Sequence, residues 1–398
     1  MTTELKDHLK SQIDQIYPEL VQTRRKIHQH PELSFQEFQT TTFIVETLQG
    51  YGLEVHRPLE TGCVAVVRGE IESDRVIALR ADIDALPIQE EGDHKAEFLS
   101  KRNGVAHCCG HDFHTTNLLG AARLLSEMTS EIEGTILLIF QPGEEKIPGG
   151  GRLLSETGFL QEWGVQEIYG LHTSPYHKPG EVAVKSGPIM ARPDEFTIMI
   201  KGKGGHAAAP HMAVDPVVIA GQVITVLQSL ITRQIDPTEP AVLTIGKIEG
   251  GTTHNVIPEK VEMEGTVRTF QRDTAEQIRK RMENTIKGIT EGAGAGYEFN
   301  WDEGYPAVIN DNQTTEKMKN VAVELLGEEH LLEVERPVMA GEDFAFYQEH
   351  FPGTFFFLGS GSEETGSIYP WHHPKYNGDE RAILTGVLML LGLALKSN

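Results

Sequence analysis

The chain has 398 residues, 39% of them hydrophobic and 23% charged, a globular composition with room for two domains. A formal net charge of -23 repels phosphate backbones and anionic lipid, which argues against nucleic-acid and membrane partners. Only Cys63, Cys108 and Cys109 carry thiols, two of them adjacent, so no disulfide framework is implied and a reducing cytoplasm is expected.

The amino terminus is polar, without the apolar stretch of a secretory signal. Amphipathic spacing predicts helices over Leu5 to His28 and Phe35 to Leu48, then strands over Val64 to Gly69 and Val76 to Leu79. A helix near Thr115 to Met128 follows, with strands over Ile136 to Phe140 and Ile168 to His172. This alternation predicts an α/β fold with a mixed, largely parallel sheet.

From about Pro193 the order becomes strand (Glu195 to Lys201), helix (Asp215 to Arg233), strands (Ala241 to Glu249, Lys260 to Phe270), helix (Thr274 to Thr290) and strand (Tyr297 to Trp301). That βαββαβ order is the ferredoxin-like split unit. The α/β pattern then resumes with a helix over Thr314 to Leu326, the apolar run Thr354 to Gly359, and a closing helix. The expected organisation is a catalytic α/β domain in two parts, 1–190 and 304–398, interrupted by an inserted domain over 191–303. The apolar run Ala382 to Leu395 is shorter than the ~18 to 20 residues that span a bilayer and reads as a buried helix.

Chemistry-bearing residues concentrate in His107-Cys-Cys-Gly-His-Asp-Phe-His114 and Gln141-Pro-Gly-Glu-Glu145. Cys109 and His111 flank a glycine, a spacing that lets both converge on one metal, although a buried free cysteine and a core histidine would look the same. Glu144 and Glu145 follow an apolar strand and a Pro-Gly turn. Beside a metal, one such carboxylate can ligate while its neighbour takes a proton from water. His172 ends an apolar strand at the same edge, and His372 and His373 supply late imidazoles. Asp82 and Asp84 end another strand, as ligands, as orienters of a histidine or as helix caps.

Together these clusters resemble the M20 metallopeptidase superfamily, in particular its aminoacylase/amidohydrolase subfamily of hippurate, N-acyl-L-amino acid and auxin-conjugate hydrolases. The likeness runs through His30-Pro-Glu-Leu-Ser-Phe-Gln-Glu37, Arg80-Ala-Asp-Ile-Asp-Ala-Leu-Pro-Ile-Gln89, Cys109-Gly-His-Asp112, Gly143-Glu-Glu145, Gly204-Gly-His206, Ala340-Gly-Glu-Asp-Phe344 and His372-His-Pro-Lys-Tyr376. The resemblance implies that Cys109, His111, Glu145, His172 and His372 ligate two divalent metal ions, with His373 as the fallback for His372. It implies Glu144 as general base, His206 as an oxyanion partner reaching the neighbouring subunit's site, and Asn255 and Arg268 as substrate contacts. A bidentate arginine on a substrate carboxylate suits that last role. The inserted domain would then be a lid and the route to a homodimer.

The implied reaction is attack of metal-activated water on the amide of a small N-acyl amino acid, such as an N-acetyl or N-benzoyl derivative. Its runner-up is a dipeptidase or carboxypeptidase with the same site. Thiolate and imidazole ligands favour zinc; carboxylates also admit manganese, cobalt or nickel. A silent metal-binding relative would not need Glu144, and a glycosidase pair would not come from adjacent carboxylates. His107, His114 and His211 are expected to be structural or to support ligands. Cys108 stands where a smaller residue is usual in the resembled family, and Phe113 fills its variable position.

Overall fold

The computed structural model describes residues 3–396. Residues up to Ile189, Val308–Arg336 and Asp343 onward form one compact unit; Met190–Ala307 and Pro337–Glu342 form another.

The first unit opens with α1 (Thr3–Gln29), which buries Leu9, Ile13, Ile16, Leu20 and Ile27 at spacings of three, four and seven residues. Next come α2 (Phe38–Gly50), β1 (Glu54–His56), β2 (Cys63–Arg68), β3 (Ile71–Asp82), α3 (His111–Glu127) and β4 (Glu133–Gln141). The short α4 (Gly150–Glu156) and α5 (Phe159–Glu162) lead to β5 (Glu167–Ser174), β6 (Val182–Val184) and β7 (Gly187–Met190).

The second unit holds β8 (Arg192–Lys201), β9 (Gly205–His206), α6 (Pro216–Gln234), β10 (Val242–Gly250), β11 (Val256–Ile257), β12 (Lys260–Thr269), α7 (Arg272–Gly292) and β13 (Gly296–Asp302). Its four-stranded sheet, in the order β10-β12-β8-β13, is antiparallel throughout. Phe196, Ile198 and Ile200 alternate along β8 to meet Val223 and Leu227 of α6 and Ile278 and Met282 of α7. Among the described residues, α6 is the one helix long and apolar enough to cross a membrane by length and composition. Its buried residues Ile219, Val223, Leu227 and Leu230 belong to the core of this unit.

The chain returns to the first unit with β14 (Val308–Asn310), α8 (Asn312–Leu326), β15 (Leu331–Glu333), α9 (Ala345–Gln348), β16 (Gly353–Gly359) and α10 (Ala382–Leu395). Here the sheet has eight strands in the order β1-β2-β4-β3-β5-β16-β6-β15. The centre β4-β3-β5-β16 is parallel, and β2 on β4 and β6 on β16 run antiparallel, so the sheet is mixed. The largely apolar α10 packs with α1, α3 and α8, which is why nearly all of it is buried. The carboxyl ends of β3, β4 and β5 deliver Asp82, Gln141 and His172 to one edge, where α/β sheets place ligands.

Some elements start elsewhere than apolar spacing indicates. Helix α2 begins at Phe38 because Phe35 has φ 64°, outside the helical region. Helix α3 begins at His111, before its apolar repeat, because Gly110 at φ 95° turns the chain; a Cβ there would lie 2.2 Å from Thr173 Oγ1. Strand β3 extends through Arg80 and Asp82, whose charges compensate each other at 2.6 Å inside the protein. The brief β1, β6, β7, β14 and β15 are too short for an alternation to show.

A buried charge network ties α1 to the start of α3. Arg24 Nε lies 2.7 Å from Asp112 Oδ2, and the His28 ring bridges Asp112 at 2.8 Å and Glu90 at 2.7 Å. Lys95 Nζ lies 2.6 Å from Glu90 Oε1. Burial pushes the Glu90 carboxyl up, but His28 and Lys95 more than offset it and hold it down at about 2, below the ordinary 4.5. A depressed carboxyl stabilises the fold above its ordinary value and loses that contribution as pH falls through its folded value. Stability is therefore expected to fall between about pH 4.5 and 2, with Glu90→Gln showing a flatter acid limb. At pH 7 the same variant, leaving Lys95 buried without its carboxylate, should lose roughly 3 kcal/mol in urea unfolding.

Candidate metal centre

At the carboxyl edge of the sheet, Gly110 turns the chain so that Cys109 and His111 stand on either side of the α3 amino terminus. Cys109 Sγ lies 3.3 Å from His172 Nε2. The other nitrogen of His172, Nδ1, is 2.8 Å from the Thr173 carbonyl, a donor role that leaves Nε2 its lone pair. His111 Nδ1 meets Asp84 Oδ1 at 3.1 Å, so its Nε2 is the nitrogen turned toward the centre. That Nε2 is buried with no hydrogen-bond partner among the described residues, 3.9 Å from Glu144 Oε2 and 3.8 Å from Glu145 Oε1.

The turn after β4 carries both carboxylates. Glu145 N–H donates to Asp84 Oδ2 at 3.0 Å, and Gly143 N–H donates to Glu37 Oε1 at 2.8 Å, so backbone on both sides of Glu144 is held by buried carboxylates. His372 closes the far side, its Nε2 3.2 Å from Glu145 Oε1. Its backbone has φ 63°, a region non-glycine residues seldom adopt, and its N–H donates to the Cys108 carbonyl at 2.8 Å. His373 is engaged elsewhere: its ring stacks on Tyr369 at 4.7 Å, and its Nδ1 accepts from Lys375 N–H at 3.0 Å.

Three donor sets converge here, each with its ligand atoms within 4.8 Å of one another: Cys109, His111 and His172; Cys109, Glu145 and His372; His111, Glu144 and Glu145. Electrostatics favours a cation among them. Burial and the charges of Glu145, Glu144 and Asp82 push the Cys109 thiol well above its ordinary value. Burial works to lower His111, yet the charges of Asp82, Asp84 and Glu145 raise it to about 10. The centre thus holds protons where a divalent cation would supply positive charge, and loading one would release them.

The two aspartates whose roles sequence left open divide their work. Asp84 orients His111, and Asp82 Oδ1 takes His114 Nδ1–H at 2.6 Å while Arg80 holds Oδ2. His114 Nε2 accepts from Thr173 N–H at 2.8 Å, so both its nitrogens are committed to structure. Trp371, which had no assigned role, packs edge-on to His172 at 5.0 Å and is pinned by Nε1–H donation to the Thr173 carbonyl at 2.8 Å. No spacing rule points to such a residue. His107 is buried, and neither ring nitrogen has a hydrogen-bond partner among the described residues.

The remaining expected site residues belong to the second unit. His206 on β9 pairs with Val256 on β11, and Asn255 O accepts from Ala207 N–H at 3.1 Å, which brings His206 and Asn255 side by side. His206 and Asn255 are exposed, as is His211. Arg268 lies near the end of β12, away from the Lys260–Lys201 pair where β9 departs. Burial lowers its guanidinium, and Glu195 and Asp194 oppose that shift.

The profile of Peptidase family M20/M25/M40 matches residues 78–396. The chain belongs to that family. It is 44% identical to the N-acetylcysteine deacetylase of Bacillus subtilis (strain 168), over 92% of this chain and 93% of that one. It is 39% identical to thermostable carboxypeptidase 1 of Saccharolobus solfataricus, over 99% of each. Among solved M20 structures, the Bacillus subtilis YXEP protein, described as a dinuclear metal binding peptidase, superposes with a TM-score of 0.81 at 39% identity, covering 96% of this chain and 98% of that one. The chain is accordingly a hydrolase of the M20 family with a metal-binding cluster.

Because Asp84 fixes both His111 and the Glu145 backbone, Asp84→Asn puts an amide N–H where Ser34, Glu145 or His111 already donates. Its expected effect is a 10- to 100-fold weaker hold on the metal, read by competition with a chromophoric chelator.

Proposed function

We propose that this enzyme hydrolyses the amide bond of N-acyl amino acids, with two divalent cations, zinc or manganese, held by Cys109, His111, Glu145, His172 and His372. The observation that carries the reading is the position of Glu144. It shares a turn with Glu145 and reaches within 3.9 Å of His111 Nε2, so a carboxylate stands next to the ligand set. Thiolate, imidazole and carboxylate together suit zinc, and the oxygen donors suit manganese. When bound, the cations make water acidic and polarise the scissile carbonyl. Glu144 takes the proton of the attacking water and hands it to the leaving nitrogen. Asp84 and the Thr173 carbonyl keep the His111 and His172 rings in the tautomers that ligation requires.

The inserted segment 191–303, which makes up most of the second unit, acts in this reading as a ferredoxin-like lid and dimerisation domain. Its β8-α6-β10-β12-α7-β13 order supports that. Arg268 pairs with the substrate carboxylate, Asn255 contacts the substrate, and His206 steadies the oxyanion, reaching the site of the neighbouring subunit. The substrate class draws on the N-acetylcysteine deacetylase relative. A carboxypeptidase is the second reading, favoured by the relative of that name.

Glu144→Gln should retain bound metal yet lose about 100- to 10,000-fold in kcat, the range for removing a general base; undiminished turnover would refute the assignment. Side-by-side rates on an N-acetyl amino acid and the matching dipeptide separate the two substrate readings, and the N-acetyl compound is expected to be the faster by about tenfold, a difference of about 1.4 kcal/mol in barrier.

The edge strand β10 exposes Val242 and Ile248, and α6 exposes Val217, Val218 and Val226. An unpaired edge with an apolar face is suited to a second copy of the chain. Sedimentation velocity should report a dimer for the native protein and a monomer for Ile248→Lys.

A further inference from the structure

The reaction proposed above uses no residue of His30-Pro-Glu-Leu-Ser-Phe-Gln-Glu37, although Ser34 and Glu37 hydrogen-bond to residues of the centre and its turn. Glu37 is wholly buried at the start of α2. Its Oε1 accepts from Phe35 N–H at 2.9 Å and Gly143 N–H at 2.8 Å, and its Oε2 accepts from Thr61 Oγ1–H at 2.9 Å. One carboxylate therefore joins three chain segments distant in sequence, and the third is the turn that bears Glu144 and Glu145.

The surroundings show that this turn is held, not merely touched. Phe35 adopts φ 64°, rare for a bulky residue, and Glu37 itself secures that conformation through the Phe35 N–H. The kink lays the Phe35 ring against Gly143, where a Cβ would come within 2.3 Å of the ring. Gly143 is itself left-handed at φ 63°, and its carbonyl accepts from Gly150 N–H at 3.1 Å, closing the loop behind the two glutamates. One residue earlier than Phe35, Ser34 Oγ–H donates to Asp84 Oδ2 at 2.7 Å, the same oxygen that takes the Glu145 N–H.

We propose that Glu37 is a positioning residue of the hydrolytic centre: its buried carboxylate fixes the Gly143 peptide and thereby sets where Glu144 and Glu145 stand, with Ser34 steadying Asp84 alongside. This rests on the reading of Glu144 as base and Glu145 as ligand. Glu37 touches no reacting atom; it acts through the backbone of the turn. A displacement of about 1 Å at a reacting group is enough to cost orders of magnitude in rate.

The test uses metal-loaded full-length protein and an N-acetyl amino acid. Glu37→Ala should lower kcat at least about tenfold at saturating metal, with KM within about threefold. Glu37→Gln should restore kcat to within about threefold of native, because its carbonyl oxygen can accept both N–H groups and its amide can donate to the Thr61 hydroxyl. Native kcat in Glu37→Ala at saturating metal overturns the proposal, as does a loss that Glu37→Gln fails to repair. Should Glu37→Ala not fold, Glu37→Asp, one methylene short, takes its place with the same criteria. Glu144→Gln is measured in parallel. If it stays active, the assignment of the base falls whatever Glu37 does; if it is inactive while Glu37→Ala is native, only the positioning role falls.

Discussion

Arg80 is wholly buried two residues before the end of β3, and its guanidinium meets Asp82 at 2.6 Å, Gln141 at 2.8 Å and Asp343 at 2.7 Å. An arginine in such a place is tolerable only with carboxylates that satisfy its fork, and those carboxylates are tolerable only with it. The dependence spreads outward. Asp82 holds His114, which holds the Thr173 N–H at the end of β5, so the strand end that presents His172 is fixed from β3. Asp343 also takes the Gln141 amide and the Gly151 N–H at 2.8 Å, which anchors the end of β4 and the helix after the Glu144–Glu145 turn. Its carboxyl is raised to about 6, chiefly by burial and against the pull of Arg80. The ends of β3, β4 and β5 thus share one electrostatic solution, and the candidate centre is built on those ends.

The atoms this candidate centre could offer a metal are those left over once orientation is settled. His111 commits Nδ1 to Asp84 and His172 commits Nδ1 to a carbonyl, and each turns Nε2 inward. His114 sits among the same rings, 5.3 Å from His111 and 4.7 Å from His172, but both its nitrogens are already engaged. Proximity alone would have counted it as a ligand. Hydrogen-bond accounting removes it, because a neutral imidazole offers one donor and one acceptor and no third site.

Legibility in the sequence followed the range of the physics. Apolar periodicity reports local burial, so the long elements of both units could be read, including β8, α6 and α7. It cannot report charges that cancel inside the protein, and for that reason β3 looked shorter at its carboxyl end than it is: the apolar run stops at Leu79, while Arg80 to Asp82 are its buried continuation. The ligand-type residues were legible because thiol, imidazole and paired carboxylates are scarce and clustered. The residues that orient them were not. Ser34, Glu37 and Asp343 lay inside quoted motifs without a role, since the bonds that define them cross 50, 106 and 263 residues of chain. Thr173 and Trp371 carry no compositional signal at all.

His372 differs from the other ligand-type residues in its setting. Cys109, His111 and His172 are buried on regular elements or at their ends, whereas the His372 side chain is 53% exposed in a turn. Its left-handed backbone carries a conformational cost of order 1–3 kcal/mol. That cost is offset locally, by the N–H bond to the Cys108 carbonyl, and functionally, by bringing an imidazole to Glu145 from the solvent side. The cluster thus draws Cys109, His111 and His172 from packed elements and His372 from an exposed turn.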